Sequence, residues 1–381
     1  MERKWWQEMF IPEKGLTEGI VSKDKPPQYT DDKKKISLHR GIKKEEYDEV
    51  CDFIRSQNKM SSGNYTLLTK GELDRYIRLG ARIVLMRGGN KNSLLGTILS
   101  LPLPIKCTLP MGNIQYNDDE SVDLLKDNII MHGCTTFLNV HKMLRNNGLC
   151  MSLIRELIQW GYEDGIYCDY HMTTQKLYEK SFQVSAWFRP LNLPKSIGLG
   201  FLIPNWNVPT EFAKNRLKYN TKHPTKFKTV RVRNKNQEKA LHFYQDNTSD
   251  KMFVFWPDMD IFSRWIQEFP TFMVKEKDTK KIVGIYSIKP LFCRMDEIVN
   301  GKLCLPLFFN CLEGHGHEVM RSLIHTAKER DFDTLYVYET GDVTRKVLES
   351  VNAIETKDKS WISLYNNSIS LSSEKISVPL I

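Results

Sequence analysis

The hexapeptide Arg145-Asn146-Asn147-Gly148-Leu149-Cys150 has the composition of a phosphate grip. A glycine at its fourth place lets backbone N–H groups turn toward one point without interference from a Cβ, and a cationic arginine opens the run. Just beyond it, Leu153, Leu157 and Trp160 share one helical face, with Arg155 and Glu156 elsewhere. A helix beginning there aims its unpaired amides and its positive dipole end at the same point. A pyrophosphate fits that description. An ordinary strand-to-helix turn carries the same glycine, and six residues alone do not separate the two readings. A second grouping, Cys311, His315 and His317 in CLEGHGH, has the right residue types for a metal, but no second ligand cluster follows at a usual spacing, so no metal site is expected.

The elements that must position the loop repeat along the chain. IVLMRGGNKNSLLGTILSLP, from Ile83 to Pro102, aligns with TFMVKEKDTKKIVGIYSIKP, from Thr271 to Pro290. Each reads as two apolar strands around a polar turn, with Gly96 or Gly284 at the same place and a closing proline, which predicts a β-hairpin. Helical spacing precedes each hairpin, through Tyr47, Val50, Cys51 and Ile54 in one half and Ala240, Leu241 and Tyr244 in the other. Downstream, SLIRELIQWGYEDGIYCDY and SLIHTAKERDFDTLYVYE both run from a helix into an apolar strand. The order helix, hairpin, strand, loop, helix, strand resembles the acetyltransferase-like fold that binds coenzyme A. The expected fold class is therefore α/β (α+β): two fused acetyltransferase-like (GNAT) units, each a mixed sheet flanked by helices. The expected division is residues 1–205 for the acyl-CoA half and 206–381 for a half that contributes to a peptide site. In the second copy the loop is Cys311-Leu312-Glu313-Gly314-His315-Gly316, where Glu313 would repel a phosphate, so one nucleotide site is expected.

The length of 381 residues suits two lobes better than one. With 41% hydrophobic and 27% charged residues, the chain reads as a soluble globular protein rather than a disordered or fibrous one. Eight cysteines form no Cys-x-x-Cys pair, and Cys107, Cys134, Cys150 and Cys168 sit among apolar neighbours. They read as small core residues of a cytoplasmic protein, with neither a disulfide framework nor a zinc site. MERKWWQEMF lacks the apolar region of a signal peptide, and no run approaches the length of a membrane span. Much of the formal charge of +9 lies in KNRLKYNTKHPTKFKTVRVRNK, residues 214–235. That run reads either as a solvated interdomain linker or as an electrostatic footprint for a ribosome, RNA or an anionic membrane. It matches no RNA-recognition signature, so no sequence-specific nucleic-acid partner is expected.

FLNVHKMLRNNGL, residues 137–149, resembles the acyl-CoA-binding signature of eukaryotic N-myristoyltransferases, whose segment also has Phe-Leu-x-Val-His-Lys-x-Leu-Arg. The resemblance extends over nearly the whole chain. Lys4-Trp5-Trp6 followed by Ile11-Pro12 resembles the family's amino-terminal anchor, and Phe188-Arg189-Pro190-Leu191-Asn192 resembles a turn further on. It implies transfer of a tetradecanoyl group from myristoyl-CoA, a co-substrate rather than a cofactor, to the amine of an amino-terminal glycine. Phe137 and Leu138 are implied to supply an oxyanion hole through their backbone N–H groups. With Asn139 and Val140 they are implied to form the coenzyme segment, Arg145, Asn146, Gly148, Leu149 and Cys150 to hold the phosphates, and Lys4, Trp5 and Trp6 to close over the nucleotide. Aromatic burial alone would also staple Trp5 and Trp6 to the surface.

An α-ammonium has a reference pKa of about 8 and a solvated α-carboxylate about 3.5, so the latter is a poor base for it unless burial narrows the gap. Ile376-Ser377-Val378-Pro379-Leu380-Ile381 is apolar and uncharged, which suits an interior segment better than a frayed tail. The resemblance implies that the carboxylate of Ile381 is the catalytic base. Departures from the family pattern fall on the peptide side, at Met172-Thr173-Thr174, at Ala186-Trp187-Phe188, around residues 57–64 and across residues 351–357. Two readings follow: a transferase with an altered peptide preference, or an inactive acyl-CoA-binding protein derived from that family.

Overall fold

The structure is a computed structural model that describes residues 36–57, 64–89, 91–107, 129–174, 176, 181–201, 214–216, 218–220, 224–295, 299–365 and 372–380. The strands are β1 (Ile36–Arg40), β2 (Asn64–Leu67), β3 (Arg82–Gly88), β4 (Ser93–Cys107), β5 (Ile129–Val140), β6 (Cys168–Thr173), β7 (Phe182–Pro190), β8 (Phe227–Arg231), β9 (Phe253–Phe255), β10 (Thr271–Glu276), β11 (Ile282–Met295), β12 (Val299–Cys311), β13 (Thr334–Tyr338), β14 (Ile354–Tyr365) and β15 (Ile376–Ser377). The helices are α1 (Tyr47–Gln57), α2 (Lys70–Arg78), α3 (Leu149–Glu163), α4 (Leu193–Gly198), α5 (Gln237–Asp246), α6 (Met259–Glu268), α7 (Gly316–Glu329) and α8 (Arg345–Ser350).

Both expected hairpins form, β3 on β4 and β10 on β11. The sheet runs β1-β3-β4-β5-β6-β14-β7-β13-β12-β11-β10-β8, so its two wings carry the same sequence of elements read outward from the middle. At the middle the wings exchange strands. β14 lies between β6 and β7, and β7 pairs with β13, so each wing is flanked by a strand from the other. Phe188, Arg189 and Pro190 end β7 at that junction. The buried Arg189 guanidinium donates to the carbonyls of Val351 (2.6 Å), Pro190 (3.1 Å) and Tyr219 (3.2 Å), and burial pushes its pKa down to about 10.

Helices cover both faces. On one, α1, α2, α5 and α6 bury Tyr47, Val50, Ile54, Leu73, Leu241, Phe262 and Trp265. A capping box starts α2, with the Thr69 hydroxyl accepting from Glu72 N at 3.2 Å and the Glu72 carboxylate accepting from Thr69 N at 3.3 Å. On the other face, α3 lies over β3 and β4 through Leu149, Leu153 and Leu157, and α7 covers the second wing through Val319, Met320, Leu323 and Ile324. Gly96 and Gly284 now have a reason. A Cβ at Gly96 would stand 2.8 Å from Leu153 Cδ1, and one at Gly284 would stand 2.4 Å from Val319 Cγ2, so each glycine lets a helix approach its strand closely.

Within the basic run of residues 214–235, Phe227–Arg231 is strand β8, paired with β10 at the end of the sheet. Phe227 is buried while Lys228 and Arg231 are exposed. Among the described residues no helix is long and apolar enough to cross a membrane.

Candidate functional site

The loop of interest follows β5, whose register against β4 slips at one place. Gly96 faces Val140 and Thr97 faces Asn139, yet Leu99 faces Thr136, so Phe137 and Leu138 together stand opposite Ile98. The slip is a β-bulge, which takes those two residues out of regular ladder pairing. Phe137 adopts φ of 52°, a conformation costly for a bulky side chain and held here by its surroundings. Its carbonyl accepts from the Thr97 hydroxyl at 3.2 Å, and its ring tilts against Tyr76 at 6.2 Å between centroids.

β5 and β6 run parallel from the His132–Cys168 pair to the Thr135–His171 pair and then part. A cavity of about 510 Å³ opens where they part. The helix-side wall is Ile154, Leu157, Ile158 and Tyr162 of α3, and the far wall includes Lys289, Leu291, Leu305 and Leu380. Phe137, Leu138 and Asn139 line it, so the bulge sits on the cavity wall. Val140 lies behind that wall, buried in the α3 cluster.

After β5, a 3-10 turn at Lys142–Leu144 leads into the exposed residues Arg145, Asn146, Asn147 and Gly148. Asn146 and Gly148 have φ of 66° and 75°, and α3 starts at the next residue, the buried Leu149, with no acidic side chain in its first turn. Arg145 donates to the carbonyls of Gln57 (3.0 Å) and Val140 (3.3 Å), which bends the loop back over α1. The result is an open helix N-terminus beside the bulge, as an anionic group requires. Cys150 is half-buried, and burial pushes its thiol up, so it is no thiolate nucleophile at neutral pH.

The segment through Leu380 is interior, with Ile376, Val378 and Leu380 buried. β15 pairs with β9, and the Pro379 carbonyl accepts from the Tyr170 hydroxyl at 2.9 Å. Leu380 reaches the cavity wall. Lys4, Trp5, Trp6 and Ile381 lie outside the described residues.

Several polar groups at the cavity escape a reading by motif. Asp169 and His171 are two apart on β6 and face the same side, with His171 Nδ1 3.8 Å from Asp169 Oδ1. Asp169 Oδ2 accepts from Thr135 Oγ1 at 2.6 Å and Ser100 Oγ at 3.3 Å. Burial pushes the Asp169 carboxyl up, and His171 and the two hydroxyls pull it back. Across the cavity the buried Lys289 donates to the Tyr76 hydroxyl at 2.8 Å. Burial lowers its pKa, and the Glu72 charge opposes that. A signal existed for both: alternate polar residues in CDYHMT, and a lysine where the aligned repeat has Leu101. Neither says which face of the strand meets the cavity.

No family model matches the sequence, and no curated protein matches it. Two solved structures of N-myristoyltransferase from Saccharomyces cerevisiae with bound myristoyl-CoA align with 100% of this chain and with 95% and 99% of their own, at TM-scores of 0.78 and 0.77 and 14% identity. A third, with bound myristoyl-CoA and inhibitors, aligns with 99% of this chain and 93% of its own, at a TM-score of 0.76 and 14% identity. The likeness is one of fold: a large mixed sheet flanked by helices, GNAT-like and matched end to end.

Proposed function

We propose that this chain, sharing the fold of those N-myristoyltransferases, seats myristoyl-CoA at the β5 bulge. From there it transfers the tetradecanoyl group to the amino-terminal glycine of protein substrates in the cytoplasm. The observation that carries the proposal is the bulge at Phe137 and Leu138, set in a cavity wall and followed by an open helix N-terminus. The loop from Arg145 to Cys150 takes the coenzyme phosphates, and the backbone N–H groups of Phe137 and Leu138 meet the thioester oxygen. Amides fixed in advance stabilise the charge that develops on that oxygen, and losing one such donor typically costs about 3 kcal/mol. Residues 1–205 supply the acyl-CoA seat, and residues 206–381 contribute to the peptide side. Lys4, Trp5 and Trp6 close over the nucleotide. The buried run ending at Leu380 supports the carboxylate of Ile381 as the base that takes the first proton from the glycine ammonium. The exposed cations of the 214–235 segment are the place for any ribosome contact.

The test offers the full chain myristoyl-CoA and a panel of glycine peptides, reading affinity by calorimetry and product by mass spectrometry. Transfer is expected, and appending residues after Ile381 is expected to abolish it while sparing acyl-CoA binding. Tight acyl-CoA binding with no product from any peptide selects the binding-protein reading, which the altered Met172-Thr173-Thr174 strand end favours. Failure to bind acyl-CoA rejects both.

A further inference from the structure

We propose that His171, positioned by Asp169, takes the proton that the amine nitrogen sheds after attacking the thioester and returns it to the departing coenzyme A sulfur. The inference rests on the transferase reading and extends it, because the reaction releases two protons from nitrogen and one terminal carboxylate accounts for the first. The neutral amine attacks the carbonyl carbon, and the C=O electrons move onto the oxygen held at the bulge. Nitrogen, now cationic, passes a proton to the neutral imidazole. The carbonyl reforms, the C–S bond breaks, and the thiolate takes that proton from the imidazolium. The products are the amide and the free thiol, with His171 neutral again.

The placement supports this role. His171 is registered against Thr135, two residues before the bulge and one strand over, and strands rise about 3.3 Å per residue. It also lines the cavity. It is the only imidazole among the described residues that does so. His132 is fully buried with its ring edge on Phe253, and burial pushes its pKa down to about 4.

Asp169 is placed to orient His171. Thr135 and Ser100 occupy its Oδ2, leaving Oδ1 toward His171 Nδ1. With Nδ1 turned toward that carboxylate, Nε2 is the ring nitrogen on the side away from it. Gly133 makes the room, since a Cβ there would stand 2.2 Å from Asp169 Oδ2. β13, which holds the matching place in the second wing, reads Thr334-Leu335-Tyr336-Val337-Tyr338 and has no such pair.

Other charged and titratable groups face His171 from the elements packed around it. β5 presents Thr135 and β14 presents Ser363, with Tyr365 one pair away opposite Asp169. Tyr162 comes from α3, and Arg82, Tyr167, Cys168, Lys289 and Tyr338 complete the charged and titratable lining. Arg82 is paired with Asp164 at 2.8 Å, and burial pushes Cys168, Tyr338 and Tyr365 up.

The experiment measures single-turnover transfer from myristoyl-CoA to a glycine peptide across pH 5 to 9, with acyl-CoA affinity in parallel. His171→Ala is expected to lower the rate about 10²-fold or more. It should leave acyl-CoA affinity within about twofold, as expected for a group acting in the proton-transfer step rather than in binding. It should also flatten the acid limb of the pH profile, and added imidazole should restore part of the rate. Gly133→Ala, which displaces Asp169 and removes no titrating group, should lower the rate less and keep an acid limb. Wild-type transfer with an unchanged rate and pH profile in His171→Ala overturns the proposal alone. So does a loss that follows acyl-CoA affinity and is not rescued by imidazole. No transfer by the wild type to any peptide overturns the transferase reading, and this proposal with it.

Discussion

The two wings of the sheet open in the same manner and are filled in opposite ways. In the first, β5 parts from β6 beyond Thr135 and leaves a cavity of about 510 Å³. In the second, β12 and β13 pair only at Leu303–Thr334 and Cys304–Leu335, and the space beyond is taken by Ile376, Ser377, Val378 and Leu380, leaving about 20 Å³. Each outer strand has an irregularity near the parting, Phe137 and Leu138 on β5 and Leu307 on β12. The loops before the two covering helices are alike at their matched glycines: Gly148 and Gly314 have φ of 75° and 80°, with open space where a Cβ would stand. One parting of strands thus stays open and its twin is closed by the chain itself.

The largest expected effect comes from reopening the closed wing. Removing residues 376–381 exposes the seats of three buried aliphatic side chains, worth on the order of 6 kcal/mol together at about 2 kcal/mol each. That is comparable to the whole stability of many domains. A urea midpoint that hardly moves would show that the segment is not what fills the second opening.

The paired glycines sharpen the comparison at the next level. Gly284→Ala meets three atoms of Val319 between 2.4 and 3.1 Å, and the β-branched side chain has little freedom to withdraw. Gly96→Ala meets the tip of Leu153 at 2.8 Å, which can turn, and the Asn139 carbonyl at 3.1 Å. Overpacking of this kind costs about 1–3 kcal/mol. Thermal unfolding should place Gly284→Ala at the upper end and Gly96→Ala at the lower; the reverse order would mean that α3 is held more rigidly than α7.

The smallest effect is a slope. Lys289 occupies the place of Leu101 in the other wing, and burial lowers its pKa. The folded protein therefore holds that proton less tightly than the unfolded chain does. Stability should rise as pH rises from the lowered folded value toward the ordinary value of about 10.4. Lys289→Leu, which copies the first wing, should remove that rise in urea midpoints between pH 8 and 11. An identical slope in the variant would mean that Lys289 is as well solvated folded as unfolded.

Much of this arrangement was legible in the residue pattern, because hairpins and amphipathic helices are local. The aligned glycines, the helix after Gly148 and the burial of the apolar final segment could all be read along the chain. The bulge could not, since Phe137 adopts a left-handed conformation without the glycine or asparagine that usually announces one. Asp169 and His171 share a face by alternation, yet only the parting of β5 from β6 decides that this face lines a cavity. The strand β8 was obscured by its charges, because an edge strand tolerates lysine and arginine where a central one does not.

The crossing of β7 and β14 at the centre also bears on how the protein is made. β6 emerges well before its neighbour on the side away from β5, which is residues 354–365. A nascent polypeptide therefore carries an unsatisfied strand margin until that later segment is made, and closure of the sheet waits for it.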